Sequence, residues 1–226
     1  MKNNVLCIVA HGDDEVLGVG GTLLKHTKNG DNVSIMIIGD GVGSRHNFKG
    51  DDYLKDKTDR VKMSTKAANF IKAQVYFEDF ADNAFDNYTL LSITKRIETV
   101  LDIIKPNIIY THNHSDLNID HKLTFEATIT ACRPVLDYIK EIYAFETVSS
   151  TEWQAPQMHQ FKPQVFVELS NEIMSKKLEL LDIYSHEMRG YPHPRSVENV
   201  VNKAKVNGSI VLKNNAEAFE VIRIMK

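Results

Sequence analysis

Short apolar runs alternate with longer amphipathic stretches through much of this 226-residue chain. A short, β-branched apolar run predicts a buried strand, whereas apolar residues that recur every three or four positions predict a helix. By these criteria strands are expected at residues 5–10, 33–38, 75–77, 107–110 and 142–145, and helices at residues 17–29, 53–71, 89–104 and 120–131. Strands and helices therefore alternate along the chain.

This alternation predicts an α/β fold, with a Rossmann-like, mostly parallel sheet and helices on both faces. After residue 145 the alternation weakens. A strand at 165–169, helices at 171–182 and 197–204, and a strand at 219–224 are expected as a C-terminal decoration of one domain spanning residues 1–226. In sheets of this kind ligands bind at the carboxyl ends of the strands. Chemistry is therefore expected in the residues that directly follow the predicted strands.

The composition is that of a soluble globular protein, with 42% hydrophobic and 25% charged residues. A formal net charge of −3 offers no excess of positive charge for a phosphate backbone, which argues against nucleic-acid partners. No apolar run approaches the roughly 20 residues of a membrane span, and the amino terminus lacks the pattern of a signal peptide. The chain has only two cysteines, one in an apolar run and one in a helical pattern, and both are expected to be buried apolar residues. Together these features predict a location in the reducing cytoplasm.

The first predicted strand is followed at once by residues 11–15, which read HGDDE. Imidazole and carboxylate groups are both zinc ligands, and a turn can bring His11 and Asp14 onto one metal ion. Asp13 would then lie beside the metal without binding it. In that position its carboxylate could take a proton from water, as a general base does.

Two other interpretations compete for this segment. The acids could simply cap the following helix, where carboxylates satisfy free N–H groups and favour the helix dipole. That interpretation leaves His11 and the helix-weakening glycines Gly18, Gly20 and Gly21 unexplained. Glycines after a strand are also typical of a dinucleotide-binding loop, but the adjacent acids would repel a phosphate. A metal cation suits the segment better.

A second polar cluster begins at the end of the fourth predicted strand, where residues 112–121 read HNHSDLNIDH. Any one of these histidines alone would be expected on the surface or in a structural hydrogen bond. Because the carboxyl ends of parallel strands meet at one edge of a sheet, the two clusters together can supply two histidines and one carboxylate. That ligand set, with a further position open to water, is typical of a catalytic zinc site.

The two clusters resemble those of the PIG-L/LmbE-like family of zinc-dependent N-acetyl-sugar deacetylases. The family motif reads AHPDDE followed by LGxGGT, and residues 10–15 and 17–22 here read AHGDDE and LGVGGT, with glycine in place of proline. The resemblance implies that His11, Asp14 and His121 bind one zinc ion per chain. It also implies that Asp13 is the general base and that Asp120 is the acid supporting the ligand set.

One position departs from the family pattern. Many members have a histidine three residues before the last ligand, thought to stabilise the developing oxyanion, and this chain has Asn118 there. Asn118 can still donate a hydrogen bond to the substrate. Proton delivery could pass to His112, His114 or His193, of which His112 is favoured because it lies at a strand end.

Substrate recognition is expected from loops at the same edge of the sheet. Arg45 follows the second predicted strand in a glycine-rich loop, where it could contact a phosphate, carboxylate or sugar hydroxyl, or could be a solvated loop arginine. His193 and Arg195 lie in a proline-rich loop at residues 191–195 and could cover the pocket.

The sequence thus predicts a zinc-dependent hydrolase that releases acetate and a free amine from a small-molecule N-acetyl sugar, free or conjugated. Two alternatives stay open. One is hydrolysis of a different acyl amide by the same residues. The other is a catalytically silent metal- or sugar-binding protein. The asparagine at position 118, where many family members have a histidine, favours this second alternative.

Overall fold

A computed structural model describes residues 2–46 and 49–226. Within these ranges the chain forms seven strands: β1 (Asn4–Val9), β2 (Asn32–Gly39), β3 (Gln74–Phe80), β4 (Ile108–His112), β5 (Glu141–Phe145), β6 (Val165–Glu168) and β7 (Ala216–Ile224). The same ranges contain six α-helices: α1 (Asp14–Lys28), α2 (Asp51–Ile71), α3 (Leu90–Ile104), α4 (Ile119–Ala131), α5 (Asn171–Ile183) and α6 (Val197–Ile210). None of these helices is both long and apolar enough to cross a membrane.

The strands form a single sheet in the order β3-β2-β1-β4-β5-β7-β6. The five strands from β3 to β5 in this order are parallel, and β7 pairs antiparallel with both β5 and β6. This architecture confirms the expected Rossmann-like, mostly parallel α/β fold. The C-terminal elements extend the sheet beyond β5, because β7 runs back along β5 and β6 then pairs with β7.

Strand β1 shows how helices cover both faces of the sheet. Its residues from Val5 to Val9 are fully buried, and alternate side chains point to opposite faces. Cys7 and Val9 pack in a core with residues of α1, α2, α5 and α6. Leu6 and Ile8 pack in a second core with residues of α3 and α4. A strand buried on both faces reads as a continuous apolar run, as this one does.

Helix α1 begins at Asp14, three residues before the predicted start at 17, so the acidic residues occupy its first turn. Its glycines allow close packing. A Cβ at Gly18 would overlap the ring of Phe145, and one at Gly21 would lie 2.6 Å from Leu169 Cδ1. The glycines therefore bring α1 against β5 and the segment following β6, and this packing explains why a helix interior tolerates them.

Candidate metal centre and active site

Three predicted ligands meet at the carboxyl edge of the sheet. His11 follows β1, Asp14 opens α1, and His121 lies in the first turn of α4. Asp14 Oδ2 is 3.5 Å from His11 Nδ1 and 3.3 Å from His121 Nε2. Ligand atoms around a tetrahedral zinc ion lie roughly 3.4 Å apart, given Zn–N distances of about 2.1 Å. The spacing of the three side chains therefore fits one metal ion.

Asp14 provides a direct test of this fit. Its side chain is fully buried, and Oδ1 has no hydrogen-bond partner among the described residues. Although burial opposes ionisation, the nearby His121 and His112 hold the pKa of Asp14 well below its usual range. A buried, ionised carboxylate with an unpartnered oxygen is energetically costly unless a cation binds it. The donor set suits a divalent metal.

Asp120 lies behind His11, the first of the predicted ligands. Its Oδ2 lies 2.9 Å from His11 Nε2, while backbone N–H groups of Asn83 and Phe85 donate to its two oxygens at 2.6 and 3.0 Å. This leaves His11 Nδ1 facing Asp14. A carboxylate behind a ligating histidine fixes the ring orientation and tautomer. Asp120 therefore lies where it could orient His11, and its role stays a prediction.

Asp116 has the corresponding position behind His121, with Oδ1 3.2 Å from His121 Nδ1. Ser150 and Thr151 donate hydrogen bonds to its carboxylate. Burial lowers the pKa of His121, but Asp14 and Asp116 outweigh it and raise that pKa to about 9. A metal that bound to His121 would therefore displace a proton from this pocket.

Asp13 lies beside the three ligands in a strained backbone conformation, with φ at 128°. Although it is the N-cap residue of α1, its side chain makes no cap hydrogen bond. Instead, Arg195 Nη1 donates to Asp13 Oδ2 at 2.7 Å. Burial raises the pKa of Asp13, and the charge of Arg195 offsets part of that rise. The helix-cap interpretation therefore does not describe Asp13, because its carboxylate faces the pocket.

His112 is completely buried, and both of its ring nitrogens are engaged. The backbone N–H of Ala10 donates to Nε2 at 2.9 Å, and Nδ1 lies 3.2 Å from Thr147 Oγ1. Burial and the neighbouring charge of His121 lower the pKa of His112 to about 3. The geometry does not support the predicted proton delivery by His112, because its ring is neutral and already hydrogen-bonded within the protein.

Arg45 was expected to bind substrate, and its guanidinium donates two 2.8 Å hydrogen bonds to the carboxylate of Glu187. Arg60, from α2, also pairs with Glu187. Although burial opposes its ionisation, these two arginines lower the pKa of Glu187 to about 2. The Arg45 side chain stays 47% exposed, so it lies at the mouth of the pocket with one side available.

The remaining predicted residues occupy different positions. Asn118 is the N-cap of α4, where Oδ1 accepts from the Asp120 N–H at 2.8 Å and Nδ2 donates to Asn83 at 3.1 Å. His193 Nδ1 accepts the Arg195 backbone N–H at 3.0 Å, and its ring packs edge-on against Trp153. Arg195 itself contacts Asp13 and so enters the pocket.

A cavity of about 110 Å³ lies over these groups. Its lining comprises His11, Asp13, Gly41, Ser44, Arg45, Arg60, Asp82, Asn83, Asn118, Glu187 and Arg195. Sequence reasoning identified five of the charged or amide residues in this set but missed Arg60, Asp82, Asn83 and Glu187. Arg60 and Glu187 lie in a helix and a C-terminal 3-10 turn, without a local motif. Asp82 follows β3, and its position after a strand was the available signal.

The comparisons with known proteins agree with this arrangement. The chain matches the sequence profile of the family described as PIG-L: GlcNAc-PI de-N-acetylase over residues 6–132, more than half of its length. The chain belongs to this family. It is also 27% identical, over 188 residues, to the uncharacterized deacetylase YaiS of Escherichia coli (strain K12), a match that covers 80% of this chain and 89% of that one.

Solved structures share the fold at lower identity. The A40926 pseudoaglycone deacetylase Dbv21 superposes with a TM-score of 0.77, at 19% identity and full coverage of both chains. The N,N'-diacetylchitobiose deacetylase of Pyrococcus horikoshii superposes with a TM-score of 0.76 at 18% identity, and the match covers 97% of this chain and 83% of the deacetylase chain. GalB, a 4-carboxy-2-hydroxymuconate hydratase of Pseudomonas putida KT2440, superposes with a TM-score of 0.76 at 22% identity, and the match covers 100% of this chain and 99% of the GalB chain. The fold therefore supports more than one chemistry, and function has to be argued from the site.

Proposed function

We propose that this protein is a zinc-dependent hydrolase that removes the acetyl group from an N-acetylated sugar or sugar conjugate, giving acetate and a free amine. The observation that carries the proposal is the buried Asp14 carboxylate, which lies between His11 and His121 and next to Asp13. One of its oxygens has no hydrogen-bond partner among the described residues. Membership of the PIG-L family and the deacetylases among the similar proteins support the reaction type.

His11, Asp14 and His121 would hold the metal, which when bound supplies polarisation of an amide carbonyl and acidification of a water molecule. Asp13 would accept the proton of the attacking water. Its raised pKa suits this work, because a general base is most effective when its pKa is near the working pH. The same carboxyl group can then return the proton to the departing amine.

Arg195 has a different role in this proposal from the one expected for it. Its 2.7 Å hydrogen bond holds the Asp13 carboxylate in place and favours the charged form. Ser149 Oγ accepts from Arg195 Nε at 2.9 Å and so fixes the guanidinium. Arg195 would thus position the base. Asn118 and the exposed side of Arg45 remain the candidates for contacting sugar hydroxyls or a linked anionic group, because both line the cavity.

The proposal is tested by measuring acetate release from a panel of N-acetylated sugars and sugar conjugates. The metal-depleted protein, the protein with Zn²⁺ restored, and zinc-loaded Asp13→Asn are compared. Turnover that requires the metal and collapses in the variant is the expected result. Bound metal without turnover on any acetamide would favour the silent binding protein, and turnover only on longer acyl amides would replace the acetyl assignment.

A further inference from the structure

His114 belongs to the second histidine cluster but lies outside the candidate metal centre. His112 and His121 both face Asp14, at 3.4 and 3.3 Å. The ring of His114 instead lies against that of His159, with centroids 4.7 Å apart. Both side chains are exposed, and they come from loops separated by more than forty residues.

Glu220, from β7, points into this histidine pair. Its side chain is only 5% exposed, and Oε1 lies 3.2 Å from His159 Nε2. Within residues 2–46 and 49–226 no lysine or arginine forms an ion pair with it, and its ion-pair partner there is His159. Ligand atoms of His114, His159 and Glu220 all lie within 4.8 Å of one another. A buried carboxylate of this kind requires compensation by hydrogen bonds or a cation.

The orientation of Glu220 is fixed by two further groups. Asn113 Nδ2 donates to Oε2 at 2.6 Å, and the Lys162 backbone N–H donates to Oε1 at 2.6 Å. Each carboxylate oxygen has more than one acceptor position, so these bonds leave capacity for a ligand. Hydrogen bonds to a carboxylate from behind are the usual support of a metal ligand. The Glu220 carboxylate is therefore held in place beside the two imidazoles.

We propose that His114, His159 and Glu220 form a second divalent-metal site, which shares no residue with the His11, Asp14 and His121 set. Two imidazoles and one carboxylate favour a transition metal such as Zn²⁺ over Mg²⁺ or Ca²⁺, which prefer all-oxygen ligands. Three protein ligands leave a position for water or an anion.

The proposed site joins three distant segments of the chain. His114 follows β4, His159 lies in the loop between β5 and β6, and Glu220 is in β7. A metal bound to all three would fasten that loop to the sheet. Because binding to the native state stabilises it, Zn²⁺ should raise the thermal midpoint through this site as well as through the first.

The test is calorimetric titration of the metal-depleted full chain with Zn²⁺, alongside His114→Ala, His159→Ala, His121→Ala and a matched control. His186→Ala is that control, because His186 is similarly exposed (44% against 47% for the His159 side chain) and also lies 3.2 Å from a buried glutamate. The wild type and the control should bind two equivalents. His114→Ala and His159→Ala should each lose one equivalent, or bind it at least about 10-fold more weakly.

His121→Ala separates the two sites, since it should weaken only the binding event that His114→Ala leaves intact. Truncating either exposed histidine removes little packing, and circular dichroism checks the fold. A single equivalent in the wild type would overturn the proposal. So would retention of both equivalents in either histidine variant, whatever the deacetylase assays show.

Discussion

Replacing Asp13 by asparagine separates catalysis from metal binding more cleanly than any other change in the pocket. The amide keeps the shape of the side chain but cannot accept a proton from water. Asp13 is not one of the three proposed ligands, and its Oδ2 contacts Arg195. We therefore expect Asp13→Asn to keep one zinc ion in the first site and to lose most of its turnover.

The expected loss of kcat is about 10²–10⁴-fold, the contribution of a positioned general base. This corresponds to ~3–5 kcal/mol of activation free energy. Stability should change little, because the asparagine keeps an oxygen that can accept the hydrogen bond from Arg195 Nη1. Burial raises the pKa of Asp13 above its value in the unfolded chain, so the folded state favours the protonated carboxyl group. Its contribution to the free energy of unfolding is therefore present at low pH and is lost as the pH rises through the folded pKa. Near neutral pH the fold gains little from this charge.

Asp14→Asn is the matched comparison, one residue along the same helix start. Asp14 has a pKa held well below its usual range and contacts both ligand histidines. This variant should lose the metal and the activity together. Metal content, thermal midpoint and acetate release are measured for both variants. If Asp13→Asn turned over at the wild-type rate, Asp13 would not be the base and the assignment of roles would be wrong.

Three further outcomes are expected. Arg195→Gln should move the acidic limb of the pH profile of kcat/KM to higher pH, because Asp13 loses the cation that favours its charged form. If KM rose while this pH profile stayed unchanged, Arg195 would instead contact the substrate. Glu187→Gln should lower the free energy of unfolding by ~3 kcal/mol at pH 7, because the pKa of Glu187 is about 2 in the folded protein against an ordinary value of 4.5. This stabilisation is present above pH ~5 and is lost as the pH falls through the folded pKa. Urea unfolding should therefore show a much smaller difference between variant and wild type at pH 2, and an equal difference would contradict the ion-pair explanation. Gly18→Ala should lower stability by about 1–3 kcal/mol, because the added methyl group overlaps the buried ring of Phe145, and an unchanged thermal midpoint would contradict this packing.

The fold could be predicted from the sequence because its signals are local. Strand β1 is an apolar run that is buried on both faces, and the amphipathic segments match the observed helices within a few residues, except that α6 extends to Ile210, beyond the predicted end at 204. The pairing of β7 between β5 and β6 was not predictable in this way. Strand pairing depends on contacts between residues far apart in sequence, and hydrophobic periodicity contains no information about which partners meet.

The candidate site divides along the same line. His11, Asp13 and Asp14 lie within four consecutive residues, and their position after a strand indicates their chemistry from the sequence alone. Glu187 and Arg60, by contrast, lie 127 residues apart and enter the pocket from separate elements. Each looks like an ordinary surface residue in the sequence. Their participation depends on tertiary packing, which also determines that Arg195 contacts Asp13.

Two energetically costly features occur in adjacent residues of this pocket. Asp13 adopts a backbone conformation that non-glycine residues rarely take, and Asp14 has a buried oxygen without a partner in the described chain. Either cost alone would reduce stability without any structural benefit. A bound cation would compensate the cost at Asp14, and the strained turn directs the Asp13 carboxylate away from the helix N-terminus and into the cavity. A purely structural helix start would need neither feature, so their coincidence supports a catalytic rather than a capping role for these acids.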